Sequence, residues 1–344
     1  MVRVKRYLEE DVLTAARSRI RHVYDVHDSV AVMFSGGKDS LVCLHLAKEV
    51  HEERGLGPVR VVFRDEELIP DVVIETVDHY RRQPWVAMTW YAVPLRGDKF
   101  VLGQSSGYVQ WDPNRAHVRD VPAWAVTLKD LSLPPETVLD QYSMDALAAK
   151  GLPGLCAFVT GVRASESLVR YRSVVNKLNE NYICATGAKN VKLAKPIYDW
   201  SEADVFKFIL DGELRYCSLY DTQHLAGQNL RVSTPVHSEA AKRIDRWRAM
   251  DAKFYERLLR VFPEMELQER YWRDWDSKAR AAKYPETWEG CEAFIEDHFA
   301  GASLEHAKDR LAEFLSMARN NPAGFTPAKL LGKLASGTVK RVIW

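Results

Sequence analysis

The chain has 344 residues, of which 47% are hydrophobic and 28% charged, and its formal net charge is +1. This composition is typical of a globular protein with one large domain or two ordinary ones, and the near-neutral charge balance gives no sign of the basic excess of nucleic-acid binders. No stretch approaches about 18 consecutive apolar residues and the first residues lack the apolar run of a secretory leader, so we expect no membrane span and a cytoplasmic location.

Strands and helices alternate through the first part of the chain. Apolar residues at spacings of three and four predict a helix over about 8–27, and short apolar runs rich in β-branched residues predict buried strands. Because strands that alternate with helices form a parallel sheet covered on both faces, we expect an α/β fold with a five-stranded parallel sheet. The predicted strands are Ser29–Phe34, Val59–Phe63, Val86–Val93, Leu155–Thr160 and Val191–Ile197, and the later predicted helices cover about 41–50, 71–82, 138–150, 168–178 and 202–210.

The first predicted strand runs directly into Ser35-Gly-Gly-Lys-Asp-Ser40. Two adjacent glycines permit positive φ and a close backbone approach. A strand, a tight glycine turn and a helix start direct several N–H groups at one point, where the helix dipole adds partial positive charge and Lys38 adds a full charge. The loop is shorter than a Walker A loop, and Lys38 precedes Asp39 rather than Ser or Thr. The stretch predicts an anion-binding loop of another kind, the alternative being an ordinary turn between a strand and a helix.

Two regions depart from the alternating pattern. From about 94 to 135 no period holds, and a stretch of this length within a compact domain is typical of an active-site flap or a small subdomain. After residue 217 strand signals vanish and amphipathic helices follow. We therefore expect a nucleotide-binding domain over 1–217 with an inserted flap, and a helical region over 218–344. The predicted C-terminal helices are Ser238–Phe262, Ser303–Arg319 and one that begins at Thr326-Pro327.

The five cysteines are widely spaced, and none forms a C-x-x-C pair with another. This pattern favours neither an iron–sulfur cluster nor a zinc site. The odd count argues against a secreted disulfide scaffold and for reduced cytosol. The cysteines are Cys43, Cys156, Cys184, Cys217 and Cys291.

Three segments together resemble one family. The loop Ser35–Ser40 resembles the pyrophosphate loop (PP-loop) of ATP pyrophosphatases, which cleave ATP between its α and β phosphates. The stretch Gly161-Val-Arg-Ala-Ser-Glu-Ser167 resembles a Gly-x-Arg-x-x-Glu-Ser segment, and Lys195-Pro-Ile-Tyr-Asp-Trp-Ser-Glu-Ala-Asp-Val205 resembles a Pro-Ile-x-Asp-Trp-[ST]-x-x-Asp-Val segment. In this order, over about residues 10–220, they are similar to the phosphoadenosine phosphosulfate (PAPS) reductase family of adenine nucleotide α hydrolases. The resemblance implies a doubly wound, Rossmann-like sheet with nucleotide at the carboxyl ends of the strands.

A narrower resemblance is to the branch that contains immunoglobulin-binding regulator A, found on phages and mobile elements. It rests on Trp111-Asp-Pro and Pro122-Ala-Trp124 in the insert, and on Leu219-Tyr-Asp221 leading to Arg231-Val-Ser-Thr-Pro235. That branch commonly occurs with a ParB-like protein, so the resemblance implies such a partner. The oligomeric state stays open, a homo-oligomer included.

The resemblance also implies roles for the loop residues. Ser35, Gly36, Gly37 and Ser40 would bind the β and γ phosphates of ATP, and Lys38 would neutralise phosphate charge. Asp39 would hold Mg²⁺ bridging the phosphate oxygens, the alternative being a carboxylate that only serves the helix dipole.

Further candidates follow the second and fourth strands. Arg163, in the segment that begins at Gly161, is expected to contact the α-phosphate or a substrate sulfate, the alternative being a salt bridge to Glu166. Glu166 would orient that arginine or help to hold the metal. Asp65 and Glu67 lie at a strand end where ribose or adenine contacts are expected, although a solvated loop is the alternative.

Three functions are open from the sequence. In the first, an ATP-using enzyme, Lys38, Asp39 and Arg163 assist attack on the α-phosphate and release of pyrophosphate. The second is a sulfonucleotide reductase. The resemblance implies that such enzymes carry a redox-active cysteine near the C-terminus in a Cys-Gly-x-His-type motif. The last cysteine here, Cys291, instead has acidic neighbours, which would raise the pKa of its thiol. The third is a nucleotide-gated, non-catalytic subunit of a phage or mobile-element complex.

Overall fold

The computed structural model describes residues 8–102, 104–175, 180–228 and 230–336. These residues form two compact units. The position of the expected boundary, after residue 217, falls inside the first unit, because residues 218–235 and 246–261 group with the earlier part of the chain. The first unit comprises the described residues of 1–97, 107–235 and 246–261, and the second those of 98–106, 236–245 and 262–336.

A mostly parallel sheet forms the centre of the first unit, which confirms the predicted α/β class. Within the described residues it has six strands in the order β3-β2-β1-β6-β8-β7, not the five predicted. The additional strand, β7, has three residues and pairs antiparallel with β8 at the sheet edge. So short and half-exposed a strand leaves no hydrophobic alternation to detect. The strands are β1 Ser29–Met33, β2 Val59–Arg64, β3 Val86–Tyr91, β6 Cys156–Val159, β7 Ile183–Ala185 and β8 Val191–Ala194.

Helices connect these strands at the predicted places. Asp11 caps the first helix by accepting from the N–H groups of Leu13 and Thr14, and Ser201 with Asp204 forms the capping box of the helix Glu202–Asp211. The predicted helix to about residue 178 is observed as a short 3₁₀ turn and α5, and residues 176–179 lie outside the described residues. The helices are α1 Val12–Val26, α2 Lys38–Arg54, α3 Asp71–Arg81, α4 Gln141–Ala149, α5 Leu168–Arg172, α6 Glu202–Asp211 and α7 Leu219–Leu225, with the 3₁₀ turn at Ala164–Glu166.

The sheet is covered on both faces. On one face Ala31 and Phe158 cluster with Met144 and Ala148 of α4. Helices α1 and α2 also contact β1 but contribute none of the described members of this cluster, so they cover the opposite face. Burial on both sides explains why β1 and β6 read as continuous apolar runs.

The insert contains a hairpin that the sequence did not predict. Strands β4 Leu95–Val101 and β5 Gln104–Gln110 pair only with each other among the described strands. Their residues alternate weakly because a two-stranded sheet offers little surface to bury. The remainder, up to about residue 135, is irregular, as expected.

The predicted helix Ser238–Phe262 is wrong, because the chain breaks into short helices there. Asp251 follows the helix Trp247–Met250 as its C-cap. Its carboxylate accepts a hydrogen bond from the N–H of Phe254, in the first turn of the next helix. Asp favours such caps over helix interiors, which outweighs the apolar stripe. The predicted helix over Ser303–Arg319 and the helix starting at Pro327 are confirmed. The segments are α8 Ser238–Ala241, a 3₁₀ turn Ile244–Arg246, α9 Trp247–Met250, α10 Ala252–Val261, α11 Met265–Trp275, α12 Ser277–Ala281, α13 Trp288–His298, α14 Ala302–Asn320 and α15 Pro327–Ala335.

The second unit has a core of its own. Helices α13, α14 and α15 pack around it, and Cys291 is among its buried residues. The core is apolar, with Phe294, Leu311 and Leu331 at its centre. Hydrophobic burial of this kind is what stabilises a small helical assembly.

Candidate functional site

The loop predicted from the sequence forms a tight turn between β1 and α2. Gly36 has φ of +75°, a conformation that favours glycine. The Ser40 hydroxyl accepts from the N–H of Ser35 at 3.1 Å and donates to the carbonyl of Gly37 at 3.0 Å. Gly37 is the N-cap of α2 and supplies no side-chain cap, so backbone groups dominate the start of the helix. This is the local geometry of an anion-binding helix N-terminus.

Gly161 allows a second chain segment to approach this helix start. A Cβ atom at Gly161 would lie 2.5 Å from the carbonyl carbon of Asp39 and 2.6 Å from the backbone nitrogen of Ser40. Since backbone atoms cannot move aside cheaply, only glycine fits at this position. The close approach brings the chain that follows β6 against the first turn of α2.

Arg163 lies beside the loop and pairs with Asp39. The arginine is 4% exposed, and its Nε donates to Oδ1 of Asp39 at 2.5 Å. Glu166 accepts from the backbone N–H of Arg163 at 3.2 Å and also pairs with Arg170. The anticipated ion pair between Arg163 and Glu166 is a longer contact, at 3.8 Å. Asp39 is therefore the principal counter-ion of Arg163.

Lys38 has a different environment from the one predicted. It is 3% exposed, and its Nζ donates to the carbonyl of Leu230 at 3.1 Å. The carboxylates of Asp39 and Glu202 lie 3.3 and 3.4 Å from the same ammonium. The Lys38 charge is thus already compensated within the protein.

A cavity of about 360 Å³ adjoins the loop. It lies at the carboxyl ends of β1, β2 and β6, where open parallel sheets bind ligands. The predicted site residues that are not among those that line it are Gly36, Lys38, Asp65, Glu67 and Arg163. The lining combines loop residues with the end of β6, α5 and the chain after α7, namely Met33, Ser35, Gly37, Asp39, Ser40, Phe63, Arg64, Glu66, Ile69, Thr160, Gly161, Val162, Glu166, Arg170, Tyr220, Leu230, Arg231, Val232 and Ser233.

Asp65 does not contact the cavity, in contrast to the ribose or adenine role predicted for it. It is buried, and one carboxylate oxygen accepts from Trp90 Nε1 at 2.8 Å. The other accepts from the N–H of Glu67 and from Arg119. Burial raises the pKa of Asp65, and Arg119 opposes that effect. Its partners come from within the protein, so it anchors the fold.

Glu67 also faces inward, so its predicted nucleotide contact does not fit the structure. It is fully buried, and its carboxylate accepts two hydrogen bonds from Arg115 at 2.7 and 2.6 Å. A third comes from the backbone N–H of Trp111 at 2.6 Å. The neighbouring residue, Glu66, lines the cavity instead. Both Asp65 and Glu67 thus hold the insert rather than a ligand.

Sequence reasoning missed two cavity residues that follow α6. Tyr220 accepts a hydrogen bond from the Lys38 N–H at 2.9 Å, and Arg231 lines the cavity. Their segments contributed to the narrower family resemblance, but their chemistry gave no local signal. Arg170, three residues after the segment Gly161–Ser167, also lines the cavity.

The predicted magnesium site does not fit the donor set. Oδ1 of Asp39 accepts from Arg163 and its Oδ2 lies 3.3 Å from the Lys38 ammonium, while Glu166 faces Arg170. In the described ranges, no group of three or more His, Cys, Asp or Glu side chains is placed to hold a metal ion. Carboxylates already paired with cations do not favour a divalent cation between them.

The thiols are poorly placed for nucleophilic chemistry. Four of the five cysteines are buried. Burial raises the pKa of Cys43 and Cys217, and raises it to about 11 for Cys156 and Cys291. A protonated, inaccessible thiol is a weak nucleophile.

A larger cavity, of about 670 Å³, is separate from the loop. It is lined by parts of α1, α2 and α6, including His45 and Trp200, and by none of residues 35–40. Most of the residues that line it carry charged side chains, and neither the loop nor Arg163 is among them. The smaller cavity is therefore the candidate site.

None of the helices in the described part of the chain combines the length and apolar character needed to cross a bilayer.

One curated protein is related in sequence to this chain. The chain is 26% identical over 266 residues to uncharacterized protein YbdN of Escherichia coli strain K12, an alignment that covers 71% of this chain and 65% of that protein. The chain thus spans just under two thirds of its relative's length.

Two solved structures share weak likeness with the chain. FMN adenylyltransferase of Candida glabrata, in complex with FAD and pyrophosphate, is 14% identical with a TM-score of 0.41, covering 61% of this chain and 58% of that one. PAPS reductase of Candida auris, in a phosphate complex, is 14% identical with a TM-score of 0.36, covering 64% and 90%. The family model described as phosphoadenosine phosphosulfate reductase domain matches residues 29–258. As the sequence motifs predicted, this chain belongs to the phosphoadenosine phosphosulfate reductase domain family.

Proposed function

We propose that the chain binds ATP at the loop Ser35–Ser40 and cleaves it between the α and β phosphates. The observation that carries this proposal is a glycine turn and helix N-terminus that open onto a cavity at the carboxyl ends of parallel strands. A nucleophilic oxygen or nitrogen of an acceptor would bond to the α-phosphorus as the bond to pyrophosphate breaks, leaving an adenylate. With water as acceptor the product is AMP.

Two cations would serve this reaction. Arg163 would face the charge developing at the α-phosphate, and Lys38 would balance the charge of the departing pyrophosphate. In the described structure both cations lie against Asp39. A triphosphate would therefore substitute for a carboxylate as their counter-ion, which favours an anionic ligand of high charge.

Sulfonucleotide reduction is less favoured by the thiols. That reaction needs a reactive cysteine, and four of the five thiols here are buried. The remaining one, Cys184, has its Sγ 3.6 Å from the carbonyl of Ser173. None of the described cysteines is among the residues that line the cavity.

Other expectations from the sequence stay predictions. They include membership of the immunoglobulin-binding regulator A branch, a ParB-like partner, homo-oligomerisation and a cytoplasmic location. The non-catalytic alternative predicts nucleotide binding without turnover, so a turnover measurement on the purified chain separates it from the enzyme proposal.

The test is incubation with α-³²P-labelled ATP, in buffer with Mg²⁺ and in EDTA, with separation of AMP, ADP and adenylylated products. We expect AMP or an adenylate with pyrophosphate, and a loss of about 100-fold or more in Lys38→Ala and Arg163→Ala, which remove the two cations assigned to the phosphates. Lys207→Ala is the matched control, because this exposed lysine pairs only with Asp211 among the described residues. ADP as the product, or equal pyrophosphate release by wild type and Lys38→Ala, would contradict the proposal.

A further inference from the structure

The Tyr220 hydroxyl occupies a hydrogen-bonding position at the loop. The side chain is 3% exposed, and its oxygen accepts from the N–H of Lys38 at 2.9 Å. Lys38 is the first residue of α2, and the first N–H groups of a helix have no partner within the helix. These are the donors that a helix N-terminus offers to a phosphate oxygen.

The same region also engages the other end of Lys38. The Lys38 ammonium lies 5.1 Å from the centre of the Tyr220 ring and donates to the carbonyl of Leu230. The backbone N–H and the side-chain ammonium of Lys38 thus both donate hydrogen bonds to residues that follow α6. We call α7 together with residues 230–233 the cover.

The cover is held together by its own hydrogen bonds. The buried amide of Gln223 donates to the carbonyl of Arg231 at 2.6 Å and accepts from its N–H at 2.9 Å. Arg246 donates to the carbonyls of Ala226 and Gly227, at 2.6 and 2.9 Å, where α7 ends. The positions of Tyr220 and Leu230 are therefore linked.

We propose that Tyr220 is a specificity-determining residue, whose hydroxyl competes with a polyphosphate for the Lys38 N–H. A ligand that places an anionic oxygen at that N–H has to displace the hydroxyl. Tyr220 therefore lowers the affinity for nucleoside triphosphates and leaves the affinity for nucleoside monophosphates unchanged. This inference rests on the proposed function, since it assigns the β and γ phosphates to the loop.

The competition follows from the strength of the two acceptors. Burial raises the pKa of Tyr220 well above its usual value, so the phenol is uncharged at neutral pH. A hydrogen bond to an ionised oxygen is about twice as strong as one between neutral groups. A phosphate oxygen can therefore replace the hydroxyl. Without ligand, the hydroxyl is held in place because the Tyr220 ring packs edge-on against Phe206, with ring centroids 6.1 Å apart.

Calorimetry on the full chain tests this inference. The probes are an ATP analogue with a methylene bridge between the α and β phosphorus atoms, inorganic pyrophosphate, and AMP. In Tyr220→Phe we expect about threefold to tenfold tighter binding of the analogue and of pyrophosphate, because a competing hydrogen bond is gone, with unchanged affinity for AMP. Tyr216→Phe is the control, since its hydroxyl donates to Asp221 rather than to the loop.

Hydrogen exchange gives a readout that needs no ligand. The Lys38 amide should exchange faster in Tyr220→Phe than in wild type, and added pyrophosphate should slow it in both. An unchanged exchange rate, equal affinity of both proteins for the analogue, or the same gain for AMP would overturn the role of Tyr220 alone. Absence of binding by every probe to both proteins would overturn this role and the proposed function together.

Discussion

Asp39 shows how a single carboxylate can hold two buried cations in place. It lies against Arg163 on one side and the Lys38 ammonium on the other. Removing such cations from water is costly unless they are paired, so Asp39 keeps both in place without ligand. Under the proposed function, an incoming polyphosphate would meet cations whose positions are already set.

At the residue scale, we predict that Gly161→Ala destabilises the protein. The added methyl would overlap backbone atoms of Asp39 and Ser40, and such overpacking costs about 1–3 kcal/mol. Urea denaturation measures the free energy of unfolding. Gly57→Ala is the control, because a Cβ there meets no atom within 4 Å. Equal midpoints for Gly161→Ala and wild type would show that the close approach is absent.

At the element scale, the insert is attached through the residues that follow β2. Glu67 forms an ion pair with Arg115, and Asp65 forms one with Arg119. The backbone N–H of Trp111 donates to the Glu67 carboxylate, and its ring nitrogen donates to the backbone carbonyl of Asp65. Glu67 and Trp111 also have positive φ, and such strain persists where surrounding contacts over-determine it. The acidic residues thus connect an irregular segment to the sheet.

We predict that Glu67→Ala loosens the insert. The change leaves Arg115 without its carboxylate, and breaking a buried pair of this kind costs about 3–5 kcal/mol. Limited proteolysis should cut within residues 112–137 faster in the variant, and denaturation should give the stability loss. Asp130→Ala, an exposed change in the same insert, is the control because its carboxylate contacts only Thr127 among the described residues. Identical cleavage of all three proteins would contradict the anchoring role.

At the scale of the whole molecule, stability should depend on the protonation of His45. The ring packs against Tyr80 and Trp85, and no hydrogen-bond partner for its Nε2 occurs in the described residues. Burial, with a smaller effect of Lys48, lowers the pKa of His45 from 6.5 to about 4. The unfolded chain therefore binds the proton first as the pH falls.

We predict that acidification destabilises the wild type through this residue. Its contribution is complete above pH 6.5 and is lost as the pH falls toward 4, at most about 3 kcal/mol. His45→Phe keeps a ring but cannot titrate, so its stability should change less over this interval in denaturation at several pH values. His306→Gln, at an exposed position, should behave as wild type. Parallel curves for wild type and His45→Phe would refute the assignment.

The features predicted correctly depend on residues that are neighbours in the chain. The loop Ser35–Ser40 could be recognised because strand, glycines and helix are contiguous. The strand β7 and the break at Asp251 were missed because a short edge strand and a cap leave weaker signals than a hydrophobic stripe.

The sequence by itself determined the family, the α/β class and the glycine turn between the first strand and the second helix, because these follow from local order and hydrophobic period. Only the tertiary structure decided which side chains meet that loop. Tyr220 reaches Lys38 across a separation of 182 residues, and Asp65 and Glu67 turn inward because arginines of the insert neutralise them. Contacts between distant segments depend on how the chain packs, and no local pattern of residues encodes them.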